Sequence, residues 1–132
     1  MSKFVMFYIY GDPITKKNSQ SMAVNRSTGK MFPVQSKAYK SYEKSALAQI
    51  EEMQVGGPYW GDSPCNLKAT YYMKTHRRVD LCNLLAATCD ILVKAGVIAD
   101  DNCNIVKSHD GSRVCYDSAN PRVEVMLEEA AE

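Results

Sequence analysis

Between Thr75 and Asn104 the chain reads T-H-R-R-V-D-L-C-N-L-L-A-A-T-C-D-I-L-V-K-A-G-V-I-A-D-D-N-C-N, and its most chemically suggestive residues lie there. His76, Arg77 and Arg78 stand just ahead of Asp80, and the adjacent pair Asp100 and Asp101 closes the stretch. Cations beside a carboxylate suit work on a phosphodiester: guanidinium groups clamp phosphate oxygens while the carboxylate holds a hard cation. The same residues also suit a plain surface ion pair, a helix cap and a turn, and composition alone does not separate these readings.

The element that must position these groups is a helix. Asp80 suits the N-cap, Lys94 the last turn and Gly96 the C′ position, while Leu81, Leu84, Leu85, Thr88, Leu92 and Ala95 fall on one face. Asp80, Asn83, Ala87, Asp90 and Lys94 form a second, mostly polar stripe. The axial separation of Asp90 from Asp80 is about 15 Å, too far for one ion, which assigns Asp90 to a supporting or interface position.

The run R-R-V-D-L-C-N-L-L followed by A-A-T-C-D-I-L-V-K-A-G-V-I-A-D-D-N resembles the RusA family of Holliday junction resolvases, whose pattern is R-x-D-L-D-N-L, a helix with an internal Asp, A-G and D-D. G-D-P-I-T-K-K-N-S-Q and S-K-A-Y-K-S-Y-E-K are similar to segments of phage-type members. The resemblance implies a single RusA-like α+β domain over residues 1–132, with a small mixed sheet of about four to six strands packed with two main helices. It also implies a homodimeric, Mg²⁺-dependent endonuclease that cuts branched, four-way DNA. Carried onto this chain, it gives Asp80, Asp100 and Asp101 as the catalytic, metal-binding carboxylates.

Two positions depart from the family pattern. Its second carboxylate, two residues after the first, is Cys82 here, and a basic residue one turn into the helix is Ala86. A thiol is a poor ligand for Mg²⁺, so the expected site uses fewer protein ligands and more water, with Mn²⁺ as an alternative ion. Cys82, Asn83 and Asp90 stay open as residues around it. The alternative is a RusA-fold junction-binding protein whose cleavage is weak or lost through Cys82 and Ala86.

Geometry adds an expectation about assembly. Leu81 to Ala95 spans about 22 Å as a helix, whereas Gly96 to Asp100 reach back at most roughly 17 Å. Asp80 and Asp101 of one chain are poorly placed to share an ion. Two such helices packed antiparallel about a two-fold axis would bring Asp80 of one subunit to Asp100 and Asp101 of the other.

The chain length suits one domain with its own core. No apolar run is long enough to span a membrane and the amino terminus lacks a signal-peptide pattern, so the expected location is cytoplasmic. Five cysteines without a C-x-x-C pair argue against a disulfide framework and a zinc finger. Net charge is only +1, but residues 1–48 carry eight Lys or Arg against two acids, and residues 49–132 eight against thirteen. A basic half could track phosphates while an acidic half collects a metal.

In chain order, Phe4 to Tyr10 reads as a largely buried strand, and Lys16, Lys17 and Asn18 occupy a polar loop suited to phosphate contacts. Residues 21–34 read as a hairpin with Arg26 and Lys30 at its tip. A helix is expected from Ser36 as N-cap to about Met53, with Tyr39, Tyr42, Ala46, Ala48 and Ile50 as its apolar positions. Trp60 sits in a loop, where it would cap the core or stack on a base. Cys65 to Lys74 should be a strand delivering Arg77, Arg78 and Asp80 to its far end. Asn104–Asp110 and Arg113–Asp117 resemble a hairpin around Gly111, with Lys107 and His109 on one strand face and Lys107 a candidate DNA contact. Arg122 to Leu127 forms the last strand.

Overall fold

A computed structural model describes residues 3–16, 20–53 and 59–130. The main sheet contains β1 (Phe4–Tyr10), β4 (Cys65–Met73), β5 (Val106–Ser108), β6 (Arg113–Tyr116) and β7 (Arg122–Glu129). Its order is β1-β7-β4-β5, with β6 also paired to β4. The β1–β7 and β7–β4 ladders are antiparallel, and β5 and β6 run parallel to β4, so the sheet is mixed. A separate hairpin comprises β2 (Gln20–Val24) and β3 (Met31–Gln35). Two helices, α1 (Lys37–Met53) and α2 (Leu81–Lys94), complete a small α+β fold.

Period-two alternation builds the core. The register aligns Ile9, Val123 and Tyr71 in one row, and Phe7, Val125 and Ala69 in the next, with all six side chains buried. Both helices add to this cluster: α1 through Tyr39, Tyr42, Ala46 and Ile50, α2 through Leu84, Thr88, Ile91 and Leu92. The Tyr71 and Thr88 hydroxyls share a buried 2.7 Å hydrogen bond, which registers α2 against the central strand. At the rim of β1, the Gln49 amide accepts from the Tyr10 N–H at 2.8 Å and donates to the Tyr10 carbonyl at 2.9 Å.

Several local expectations are met. Ser36 caps α1, its Oγ accepting from the Tyr39 N–H at 3.1 Å. Asp80 caps α2, and Gly96 at φ 77° closes it. The Gly96 N–H reaches the Val93 carbonyl and the Val97 N–H the Leu92 carbonyl, while Val97 and Leu92 are both buried, which makes a full Schellman end. Trp60 is 1% exposed and donates to the Ser63 carbonyl, so it caps the core and offers no face to a base.

Four expectations need correction. β1 is not largely buried: Phe4, Met6 and Tyr10 are exposed, because alternate side chains point to the face away from the core. Residues 104–117 do not fold back as a hairpin: β5 and β6 both run parallel beside β4, as one edge interrupted at Gly111. The cause is Asn66, whose Oδ1 accepts from the Asp110 N–H and whose Nδ2 donates to the Asp110 carbonyl, bridging the interruption. Ser112 Oγ takes the Ala69 N–H in turn. Ala48 is exposed, because it lies 200° around the helix from Ala46 at 100° per residue. Ala87, placed on the polar stripe, is 3% exposed, because α2 is embedded over a wider arc that also takes in Cys89 and Ile91.

Replacing Thr88 by Val keeps its shape but leaves the Tyr71 hydroxyl buried without a partner. It should cost about 1–3 kcal/mol in urea unfolding, with most of the loss recovered when Tyr71→Phe is added.

Candidate functional site

Beyond β4, residues 74–79 cross to the start of α2, and Asp12 holds that crossing. Its Oδ1 accepts from the Lys74 N–H at 3.0 Å and its Oδ2 from Arg77 Nη1 at 2.8 Å. Arg77 Nη2 also donates to the Pro13 carbonyl at 2.8 Å. Arg77 therefore fastens the loop after β1 to the segment ahead of Asp80. Arg78 is exposed and forms no ion pair among the described residues.

Asp80 has the extended backbone of an N-cap, φ −94° and ψ 120°, and its Oδ1 accepts from the Cys82 N–H at 2.9 Å. The carboxylate thus sits at the positive end of the α2 dipole. The residue is exposed, so its carboxylate faces solvent beyond the cap. Cys82 and Ala86 are exposed nearby, and Asn83 is half-buried.

The other end of α2 leads into Asp100 and Asp101, and the two differ. Asp100 Oδ1 accepts from the Asp101 N–H at 2.7 Å and Oδ2 from Asn102 Nδ2 at 3.0 Å. These bonds to the charged form, the backbone one foremost, hold its carboxyl below the usual range. The stability they confer is present above that range and is lost as pH falls through the lowered value. Asp101 is exposed, and its backbone N–H is the one Asp100 takes up. Its charge also reaches α2, adding to the larger effect of burial in pushing the Cys89 thiol up to about 12.

Asp80 follows the carboxyl end of β4. Residues 97–99 instead bridge Gly61 ahead of the strand's start, the Ala99 N–H reaching the Gly61 carbonyl at 2.9 Å. A helix of this length separates its two ends by about 20 Å. Among the described residues no three His, Cys, Asp or Glu side chains gather where they could hold one metal ion. The carboxyl groups suit a hard cation, yet one chain does not assemble them.

The remaining expected contacts divide. Lys16 pairs with Asp90 at 3.1 Å, and Lys94 joins Asp90 at 3.4 Å and Glu43 at 3.0 Å, so Asp90 serves a network linking the loop after β1 to both helices. Lys17 and Asn18 lie outside the described residues. Lys107 is exposed on β5. His109 does not share its strand face: β5 ends at Ser108, and the His109 ring nitrogen lies 3.0 Å from the Leu67 carbonyl.

One feature has no counterpart among the sequence expectations. His76 stacks on Tyr116 with ring centroids 3.8 Å apart and planes 28° apart. A groove of 460 Å³ runs between residues 75–79 and β6, lined by Arg77, Arg78, Val79, Val114 and Tyr116 among others. The Met73–Tyr116 pairing creates it, and nothing local to residues 113–116 announces that pairing.

A family model for the endodeoxyribonuclease RusA matches residues 11–128. The chain belongs to the RusA family. A comparison with curated proteins finds no match. RusA membership makes the chain an endodeoxyribonuclease of the kind that acts on Holliday junctions. The matched span runs from the turn beside Asp12 to Glu128, so both ends of α2 lie within the RusA region. Within the described residues, no helix is long and apolar enough to cross a membrane.

Capping and charge at Asp80 of this RusA domain separate by substitution. Asp80→Asn keeps an N-cap acceptor and should leave unfolding stability within about 0.5 kcal/mol, whereas Asp80→Ala should cost about 1 kcal/mol. Urea titration of both variants checks this, and Asn is then the substitution that reports on charge alone.

Proposed function

We propose that this RusA-family chain cuts four-way DNA junctions by Mg²⁺-dependent hydrolysis, in sites shared between two copies of the chain. What supports the reading most is a single observation: Asp80 and Asp101, two exposed carboxylates in a RusA domain, stand at opposite ends of a doubly capped helix. Antiparallel packing of two α2 helices about a dyad would set Asp80 of one copy against Asp101 of the other.

Asp80 and Asp101 would hold the ion, with Mn²⁺ as an acceptable substitute. When bound, the ion supplies activation of water and neutralises charge on the phosphate. Asp100 keeps the loop that presents Asp101 in one shape through its two hydrogen bonds. Arg78, with Arg77 behind it, orients the phosphate beside Asp80, and Lys107 extends the contact to flanking DNA. A dyad places two such sites on two strands, as paired nicking of a branched molecule requires.

Nicking of a synthetic four-way junction with Mg²⁺ and with EDTA tests the activity. Asp80→Asn and Asp101→Asn homodimers should each lose at least about a hundredfold in rate, a loss of the size expected for a transition-state contact. Mixing the two variants should restore part of the rate, since one of two shared sites in a heterodimer is intact. Absence of recovery would rule out sharing.

An exposed thiol at Cys82, two residues after Asp80, favours a second reading in which junction binding outlasts cleavage. Cys82→Asp adds an oxygen ligand. If the missing carboxylate limits the rate, the variant should nick about tenfold faster or more with Mg²⁺ while binding in EDTA stays the same. Equal rates would show that position 82 is not limiting.

A further inference from the structure

We propose that the groove between residues 75–79 and β6 seats one unpaired base of the branched DNA, with Tyr116 as its stacking platform and His76 as the backing ring. The proposal rests on the junction-nuclease reading and deepens it by naming how the branch would be told from plain duplex.

Four observations meet in this groove. Tyr116 is 47% exposed although its ring already stacks on His76, so one aromatic face is supported from behind while much of the residue remains open. Val114, two residues earlier on β6, is 40% exposed and lines the same groove, which gives it an apolar floor. Arg78 stands at the wall without an ion pair among the described residues, and Arg77 beside it is oriented by Asp12 and the Pro13 carbonyl. Finally, Val79 lines the groove and immediately precedes Asp80, so an occupant would lie next to the proposed cleavage site.

An apolar floor, an aromatic face and cationic walls complement a flat π-system attached to a phosphate, which describes a nucleotide. A base stacked inside duplex has no free face to offer. Bases at a four-way crossover lose a stacking neighbour more easily, so the groove would engage the branch and ignore the arms. The volume of 460 Å³ falls in the range of small-ligand sites and accommodates a nucleobase.

The test measures binding in EDTA at fixed salt, using wild type, Tyr116→Ala and Tyr116→Phe. Three DNA probes are compared: a four-way junction, the same junction with abasic sites at the crossover nucleotides, and linear duplex. Tyr116→Ala should weaken intact-junction binding about tenfold, in the range known for one base on one aromatic ring. Tyr116→Phe, which keeps the ring, should stay within about twofold of wild type, as should duplex binding by either variant. The abasic junction should be bound weakly by wild type and be insensitive to Tyr116→Ala. Equal loss on all three probes, or no loss on the intact junction, overturns the proposal. Nicking by wild type with Mg²⁺ is scored separately: a chain that nicks junctions but ignores Tyr116→Ala keeps the nuclease reading and loses the groove. A chain that neither nicks nor prefers junctions loses both.

Discussion

The fixed length and orientation of α2 govern everything around the candidate site. A helix is stiff only as far as its ends are held, and both ends of this one are. Asp80 satisfies an N–H at the start, while Gly96 and Val97 satisfy two carbonyls at the finish. Between them the Tyr71–Thr88 bond locks rotation against the central strand, since a turn of α2 about its axis would strand two hydroxyls in an apolar interior. The residue that caps the helix is also the proposed metal ligand. Local folding and the proposed chemistry therefore call on the same side chain, a carboxylate at the positive end of a dipole.

That rigidity explains why the acidic groups stay apart within one chain. Charges of like sign repel, and three carboxylates gathered without a cation would destabilise the fold that carries them. Here each sits in its own setting. Asp80 is on a helix end, Asp100 is tied into its loop, and Asp101 is exposed beside it, while a fourth acid, Asp90, is paired with Lys16 and Lys94.

Where pattern is local, the sequence was a sufficient guide. The β1 run, the Ser36 start of α1, the Asp80 cap and the Gly96 end are decided by neighbours within a few residues, and all appear where composition and spacing place them. The family resemblance carried by residues 77–102 is likewise local, and the family match extends it over 11–128. What sequence reasoning missed depends on contacts made over long separations. Asn66 and Asp110 lie 44 positions apart, yet their side chain–backbone bonds decide that residues 104–117 continue along β4 instead of folding back. The groove at Tyr116 follows from the same misjudged register, because a hairpin would have paired β6 with β5 and left His76 without its ring. Lys16 and Arg77 read as phosphate contacts in sequence, with a surface ion pair as the alternative for Arg77, and distant partners, Asp90 and Asp12, bind them in the fold.

The Gln49 clamp on Tyr10 carries a consequence for assembly. β1 is the outer strand of the sheet, and an outer strand offers its main chain to any other extended polypeptide. By filling the last donor and acceptor with a side-chain amide, α1 ends the ladder at that corner, much as a terminator ends a bus line. Association of two molecules by sheet continuation is thereby discouraged near Tyr10, leaving helix-to-helix approach less contested.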